Sequence, residues 1–478
     1  MRRLPAGRGR ALLPALALAL ACLAGGLRAA TLEETLTRVH GESPRLAAER
    51  ARLRAVDEQV PQALAGWRPR AQLRSGWTLD RETRDSHRVP ARPVGDREGN
   101  RDTEVFRQFD NRLTVRQPLY SGGETVAETR RAENNVQAAR ARLGGVGQDV
   151  LLNAVDAYAG VVRARNVVRL ARENLDRLNQ YLGGTEERLR LFEVTRTDLD
   201  QAQSRVAGAE AELARAETEL AAALAFFEQV VGEPPGELVP ARPLADLPAS
   251  EAEALALAAR NPRLVQAAFE LEAARDQVRV AEAALLPDLA LVGELTHETQ
   301  PTFGIDNRSD ASLGVELVVP LYQGGAEYSR VRQAKQTMIQ ARYLLDDTER
   351  LVRREVLRSF DAWRSIERQI TALRAQTDAA ARALEGTREE AIAGVRTTLD
   401  VLNAELELFQ AQSRLERARE AEIAASYDLK AAIGGLDPDG LDLAGPPYDP
   451  EAHYRAVRNR WFGLAVDYPE GMGPLPER

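Results

Sequence analysis

The chain is poor in the residues that carry most site chemistry. Its 478 residues include one cysteine and four histidines, and aromatic residues make up only 5%. The cysteine is Cys22, inside an N-terminal apolar run, so disulfides, thiol catalysis and cysteine-bound metals are excluded for the rest of the chain. The histidines show no paired ligand spacing, and no phosphate-binding glycine loop with a lysine occurs. We therefore predict no enzyme, no metal site and no cofactor.

Long hydrophobic runs are also missing after the N-terminus. A spanning helix needs about 20 consecutive apolar residues, so we expect this chain to enter a membrane only as strands, if it enters one. The abundance of Ala, Arg, Leu and Glu favours long helices and coiled coils over a compact aromatic core.

Residues 1–29 have the pattern of a secretory signal peptide. A basic start with Arg2 and Arg3 precedes an apolar run from Ala11 to Leu23, and small residues follow. An uncleaved anchor and a lipoprotein acylated at Cys22 are the alternatives. The segment contains five arginines and no acidic residue, so its removal changes the formal net charge from −8 to −13. An acidic protein of this kind is a poor partner for nucleic acid.

The sequence contains an internal repeat. The segment Gln117–Gly123 reads QPLYSGG and returns as VPLYQGG at Val319–Gly325, an offset of 202 residues. We place the two repeats at 31–235 and 251–436, with a proline-rich linker at 236–250 and a C-terminal tail at 437–478. Matching prolines further upstream have a larger offset, which predicts an extra loop within the polar residues 80–105 of the first repeat.

Each repeat is predicted to contain a β-hairpin, at about 70–120 and about 288–322. Apolar and polar residues alternate there, as expected for strands with one apolar face. Such a face suits lipid, with the polar face towards a wet lumen, although a soluble two-faced sheet has the same alternation. We predict a strand-to-helix junction after each hairpin, where prolines end the strand, glycines allow the bend, and tyrosines lie at a membrane interface or pack in the turn. The junction residues are Pro118, Tyr120, Gly122, Gly123, Pro320, Tyr322, Gly324 and Gly325.

Very long helices should follow each junction. Residues 326 to about 390 contain no proline, while the equivalent stretch at about 124–190 has a weak point at Gly144, Gly145 and Gly147. The returning helix of the first repeat has apolar residues at strict three- and four-residue spacing, which predicts a coiled-coil seam. The seam residues are Leu199, Ala202, Val206, Ala209, Leu213, Ala216, Leu220, Ala223, Phe227 and Val230.

One further motif is the most specific. Gly394–Ala404 reads GVRTTLDVLNA, and Thr197–Ala202 reads TDLDQA. With the duplicated hairpins and the PLYxGG motif, these segments resemble the TolC family of outer-membrane efflux and type I secretion proteins over about residues 31–436.

That resemblance implies an α+β membrane protein in the Gram-negative outer membrane, extending into the periplasm. Three duplicated protomers would each give four transmembrane strands to a twelve-stranded trimeric β-barrel, continued by a long α-helical coiled-coil barrel. The implied partners are two further copies of the chain, outer-membrane lipid, a periplasmic adaptor (membrane fusion protein) and an inner-membrane ABC or RND-type transporter. The channel would conduct exported substrates passively.

The resemblance also implies a periplasmic gate. Asp400 would line the narrow tip, and Arg396 would hold it shut through Asp198, beside Thr197. Asn403 falls where a second acidic ring can occur, so that ring would be neutral, and Ala391 replaces a tyrosine of some members. Asp400 could instead simply cap its own helix. The adaptor would dock at the helix reversals, on Val194, Thr195, Gly394, Val395 and Thr397.

The cargo is predicted from the C-terminal tail. Residues Tyr448–Tyr454 and Arg460–Gly463 resemble tails of family members paired with type I protein secretion. We therefore expect type I protein secretion, with multidrug efflux as the alternative. A secreted coiled-coil periplasmic adaptor or scaffold is the rival of another class.

Overall fold

The computed structural model describes residues 29–86, 100–302, 305–444 and 448–466. The predicted signal peptide lies outside these residues except for Ala29. In the described part of the chain, none of the helices is long and apolar enough to span a membrane. By contact density the chain divides into two compact units. Unit 1 comprises Met1–Arg52, Arg140–Gln266 and Asp347–Asp449, and unit 2 comprises Leu53–Ala139, Ala267–Asp346 and Pro450–Arg478.

The first half of the chain contains helices, a strand pair and two longer helices, in that order. They are α1 (Leu32–Glu42), α2 (Pro44–Asp57), α3 (Gln59–Leu64), β1 (Arg70–Ser86), β2 (Asn100–Ser121), α4 (Glu124–Arg190) and α5 (Arg196–Val231). The second half repeats this order with α6 (Glu251–Leu257), α7 (Pro262–Ala283), β3 (Asp288–Thr302), β4 (Ile305–Val318), α8 (Ala326–Ile392) and α9 (Thr398–Ala432). A short helix, α10 (Ala452–Val457), follows in the tail.

The predicted long helices are present. Helices α4 and α8 each have 67 residues, a length of roughly 100 Å at 1.5 Å per residue. The weak point expected in α4 is wrong, because the helix continues through Gly144 and Gly145. A Cβ atom on either glycine would lie 3.7–3.8 Å from the ring of Pro262. An alanine at either position would make only an ordinary van der Waals contact with Pro262, so close packing does not require these glycines and the helix continues through them despite their low helix propensity.

The four strands form one antiparallel sheet in the order β1-β2-β3-β4. Residues paired across the strands share a face, and the register places most large apolar side chains on the same side. We call this side the apolar sheet face. Its residues are Leu73, Trp77, Leu79, Phe109, Leu113, Val115, Leu289, Leu291, Leu295, Leu313, Val315 and Leu317.

The opposite face of the sheet is charged. Arg116 on β2 lies 2.8 Å from Asp288 on β3 and 2.8 Å from Glu316 on β4. Because these ion pairs cross strands, they join three neighbouring strands on the polar side. The sheet therefore has the two-faced character predicted from the alternation.

Two details of the hairpins differ from expectation. Residues 80–86 and 100–105 of the predicted polar loop are strand instead, because β1 continues to Ser86 and β2 begins at Asn100, and residues 87–99 lie outside the described residues. Backbone hydrogen bonds extend a ladder without apolar alternation, and the hydroxyls of Thr83 and Thr103 lie 3.2 Å apart across it. Strand β2 also continues past Pro118, where the prediction ended it. The register shifts between Pro118 and Tyr120. The ladder therefore resumes beyond Pro118, which has no backbone N–H to donate.

The core of unit 1 surrounds the middle of α4. Tyr158 on α4 is fully buried, with α1, α5 and α9 packed around the same cluster. Its hydroxyl lies 2.8 Å from the carbonyl oxygen of Ala30 and 2.6 Å from that of Val239. One buried hydroxyl therefore fixes both the start of the described chain and the segment predicted as the linker. The predicted seam of α5 is also buried or partly buried along its length.

The bend after β2 gives a first testable prediction. Gly122 and Gly123 both have positive φ, but a Cβ on Gly122 would lie 2.6 Å from the carbonyl oxygen of Ala283, whereas Gly123 has open space. Both alanine variants incur a left-handed backbone cost of roughly 1–2 kcal/mol. We expect Gly122→Ala to lose about 1–3 kcal/mol more through overpacking. Thermal unfolding of the two variants measures this difference, and equal melting temperatures would contradict it.

Candidate functional site

The candidate site lies where each long helix reverses direction in unit 1. The first tip, Leu191–Thr195, joins α4 to α5, and the second tip, Ala393–Thr397, joins α8 to α9. In the first tip the N–H of Glu193 donates to the carbonyl of Arg188 at 2.9 Å, and in the second the N–H of Val395 donates to Glu390 at 2.8 Å. This pattern needs a left-handed residue after the helix. Gly394 supplies it at φ 81°, and Phe192 supplies it at φ 59°.

Each returning helix begins with a capping box. The hydroxyl of Thr195 accepts from the N–H of Asp198, and the Asp198 carboxylate accepts from the N–H of Thr195 at 2.8 Å. Thr397 and Asp400 make the same pair of bonds in the second repeat, at 3.2 and 2.9 Å. The two tips therefore have the same local structure, and these bonds satisfy backbone donors that a helix start leaves open.

The caps also affect the two carboxyl groups. Hydrogen bonds from the hydroxyl and backbone N–H of Thr195 hold the pKa of Asp198 below its usual value. The backbone N–H and hydroxyl of Thr397 do the same to the pKa of Asp400. Since both folded-state pKa values lie below the unfolded value of 3.8, the stabilisation is complete above that pH. It is lost as the pH falls through the folded-state values, so both groups stay charged near neutral pH.

The other predicted gate residues are engaged within the chain. Arg396 Nε donates to Glu390 Oε2 at 2.9 Å, while Asp198 is held by its own cap. Asn403 Oδ1 accepts from Arg205 Nη2 at 2.6 Å, which links α9 to α5. Thr197 is exposed on the first turn of α5, and Thr195 rather than Thr197 is the capping residue. A link from Arg396 to Asp198 of a neighbouring hairpin stays a prediction.

Both tips, together with Ile392 at the end of α8, expose apolar side chains. Phe192 is 94% exposed and Ile392 is 89% exposed, and Leu191 and Val395 are also exposed. Of the predicted docking residues, Thr195, Gly394, Val395 and Thr397 are exposed and Val194 is half-buried. A bulky residue with positive φ is strained, and Phe192 has no compensating burial in the single chain.

A buried charge cluster near the tips was missed by the sequence reasoning. Glu405 on α9 is fully buried; its carboxylate accepts from Arg177 Nε on α4 at 3.0 Å and from Arg388 on α8. The guanidinium of Arg388 lies 5.8 Å from the ring centre of Tyr181. The available signal was a charged residue at an apolar seam position, since Val401 and Leu408 on the same side of α9 are buried.

The predicted junction residues lie in unit 2. Gly122, Gly123, Gly324 and Gly325 all have φ between 60° and 84°, the conformation that a tight bend uses. Tyr120 and Tyr322 are exposed. In the described residues, no group of three or more His, Cys, Asp or Glu side chains is arranged to hold a metal ion.

The comparison with known families identifies the class of protein. The family described as outer membrane efflux protein matches residues 36–233 and 255–435. The chain therefore belongs to this family of outer-membrane transport channels, which confirms the resemblance stated from the motifs. It is a protein of the Gram-negative outer membrane and acts there as an export channel.

Particular relatives include both efflux and secretion proteins. The outer membrane efflux protein BepC of Brucella suis is 33% identical over 451 residues, covering 92% of this chain and 94% of its own length. The alkaline protease secretion protein AprF of Pseudomonas aeruginosa is 29% identical over 360 residues, covering 73% of this chain and 74% of its own. The crystal structure of the Campylobacter jejuni CmeC outer membrane channel has the same fold, with a TM-score of 0.72 and 16% identity over 90% of this chain and 89% of that one.

Proposed function

We propose that three copies of the chain close their sheets into a twelve-stranded barrel. The barrel continues as a tunnel of long helices and passively conducts substrates exported by an inner-membrane pump. The observation that carries this proposal is the four-stranded sheet, which has a continuous apolar sheet face and leads along the chain into 67-residue helices.

The sheet itself argues for closure by other copies. Strands β1 and β4 are at its two edges, and an exposed edge presents unpaired backbone donors and acceptors. In hydrocarbon these groups must be satisfied, so the sheet has to close. Four strands are too few, because even about eight leave an interior just wide enough for side chains. Three copies give twelve strands and a lumen lined by the charged face around Arg116.

The oligomeric state tests this part directly. Native mass spectrometry of the purified protein in detergent should give the mass of three chains. The trimer should persist at low protein concentration, because each interface would add a full strand pairing. A chain that remains a stable monomer in detergent would contradict the proposed barrel.

We propose that the two tips dock a periplasmic adaptor. The exposed apolar residues Phe192, Ile392 and Val395 support this, because isolated tips in water gain nothing from such side chains. The strain at Phe192 points the same way: a glycine would fit its backbone better, and an aromatic contact with a partner would offset the cost, roughly 1–2 kcal/mol.

For the cargo, we favour protein export by a type I system over drug efflux. The similarity to AprF supports this choice, as does the tail with its Arg460–Gly463 segment. The similarity to BepC, whose name describes efflux, keeps drug export as the competing function. The pump that energises transport distinguishes the two, since an ABC transporter would indicate the first and an RND-type transporter the second.

Crosslinking from the tip tests docking and cargo together. Cys22 lies in the predicted signal peptide, so Val395→Cys gives the mature chain a single cysteine. Crosslinking in cells should capture an adaptor, and mass spectrometry of the purified complex should identify its pump. The matched control is Ala214→Cys, which is also exposed but lies in the middle of α5. Capture of an adaptor by the control alone would exclude docking at the tip.

A further inference from the structure

The C-terminal tail is fixed to unit 2 by a series of specific contacts. His453 Nδ1 lies 3.1 Å from the buried carboxylate of Asp57, Arg458 Nη2 donates to Glu133 Oε1 at 3.1 Å, and Val457 is buried. Tyr454 packs against a cluster formed by α3 and α4. These contacts extend over the whole of α10, so the tail is part of the folded unit and not a loose extension.

Beyond α10 the chain forms a compact turn, residues 460–466, which we call the tail turn. The guanidinium of Arg460 donates back to the carbonyl oxygens of Phe462 at 3.2 Å and Ala465 at 3.4 Å. Gly463 has φ 116°, and a Cβ there would lie 2.6 Å from Arg460 Nη2. The turn therefore depends on one arginine at its centre and on a glycine that leaves room for it.

This turn directs its apolar side chains outwards. Phe462 is 86% exposed and Leu464 is 99% exposed, and Trp461 and Val466 are exposed as well. A soluble surface does not usually present four such residues within six positions. The polar groups point inwards and the apolar groups point outwards, which is the reverse of a solvated loop.

The turn is attached at the foot of the sheet. Arg68 Nη1 donates to the carbonyl oxygen of Arg460 at 2.8 Å, and the Arg68 guanidinium lies 4.9 Å from the Trp461 ring centre. Arg68 precedes β1 by two residues, next to the exposed Trp67. The apolar sheet face begins shortly afterwards at Leu73. Arginine and tryptophan together are typical of a membrane–water boundary.

We propose that the tail turn inserts into the lipid surface that surrounds the foot of the sheet and acts as an interfacial membrane anchor. The inference rests on the proposed barrel, because the sheet must be in the membrane for its foot to mark the boundary. Its occupant is lipid, since the side chains that the turn exposes most, Phe462 and Leu464, are apolar. The attachment to Arg68, two residues before β1 and five before Leu73, favours lipid over a separate protein partner.

Label depth in lipid nanodiscs tests the proposal on the full-length trimer. Leu464→Cys is labelled with a fluorophore and quenched either by iodide in water or by nitroxide-labelled lipid. We expect loss of iodide quenching and gain of lipid quenching, as for Leu73→Cys on the apolar sheet face. Ala456→Cys, exposed on α10, should behave in the opposite way.

The outcomes separate the proposals. A label at Leu464 that iodide quenches like Ala456→Cys, while Leu73→Cys is in lipid, overturns the anchor and leaves the barrel intact. Protection of Leu464 from both quenchers in the purified trimer means that another protomer covers the turn, which also overturns the anchor. If iodide quenches the label at Leu73→Cys and lipid does not, the sheet is not in the membrane and the proposed barrel is overturned. When Gly463→Val is combined with Leu464→Cys, we expect the label to become accessible to iodide in water. If the label stays in lipid, the folded tail turn is not what holds it there and the anchor is overturned.

Discussion

Glu405→Gln is expected to lower the melting temperature of the protein strongly. The carboxylate is fully buried and joins Arg177 on α4 to Arg388 on α8. The amide keeps the shape but removes the charge, and two cations then remain close together around a neutral group. Breaking a buried ion pair usually costs about 3–5 kcal/mol. The side chains of both arginines are about one third exposed, so water screens part of their unpaired charge. We therefore expect the free energy of unfolding to fall by about 2 kcal/mol, less than for a fully buried pair.

The matched control uses the same arginine. Glu385 lies 3.6 Å from Arg388 but is 66% exposed, so Glu385→Gln should change stability by no more than about 0.5 kcal/mol. Thermal unfolding followed by helix circular dichroism measures both variants in detergent. Similar melting temperatures for the two variants would mean that Glu405 contributes no more than a surface charge. Hydrogen exchange should also show the loss of protection concentrated in the helices that meet at Glu405.

Periodicity and repeats predicted the elements of this fold but not their ends. The alternation of Leu313, Val315 and Leu317 predicted β4 correctly, because a strand with one apolar and one polar face must alternate. The extension of β1 to Ser86 left no such signal, since backbone pairing and the Thr83–Thr103 contact sustain it without apolar alternation. Pro118 was assigned to a strand end because proline lacks a donor, yet a shift of register lets the strand continue. The low helix propensity of Gly144 and Gly145 predicts a weak point, but α4 continues through both glycines.

At the two tips, too, the sequence predicts the local structure but not the contacts between distant helices. The offset between the repeats relates Thr195 to Thr397 and Asp198 to Asp400, and the structure gives both pairs the same capping bonds. Because helix N-termini favour carboxylates, the sequence also predicts a cap at Asp400 as the alternative to a gate. Glu405 was not predictable in the same way. Its partners are 228 residues before it and 17 residues before it, and only packing of three helices brings them together.

The roles of Asp400 as a cap and as a gate can be separated with two substitutions. Asp400→Asn removes the charge but keeps an oxygen that can accept from Thr397. Thr397→Ala keeps the charge but removes the hydroxyl cap, at a cost of about 1 kcal/mol. If three copies of Asp400 line the axis of the proposed trimer, Asp400→Asn should weaken cation selectivity and block by trivalent cations, with only a small fall in melting temperature from the loss of the charged cap acceptor. Thr397→Ala should lower the melting temperature and leave selectivity unchanged.

Closure of the proposed gate is tested through Arg396, with single-channel conductance in planar bilayers as the measurement. In the single chain Arg396 bonds to Glu390, so Arg396→Ser and Glu390→Gln both break that pair. Only Arg396→Ser would also remove the predicted bond to Asp198 of a neighbouring hairpin, which at an exposed tip would be worth roughly 0–1 kcal/mol in each of three copies. We therefore expect Arg396→Ser to raise conductance and Glu390→Gln to leave it near the wild-type value. Equal conductance in the two variants would mean that Arg396 acts only within its own hairpin. If Asp400→Asn also lowers stability without changing selectivity, Asp400 is a helix cap and the tip has no charged gate.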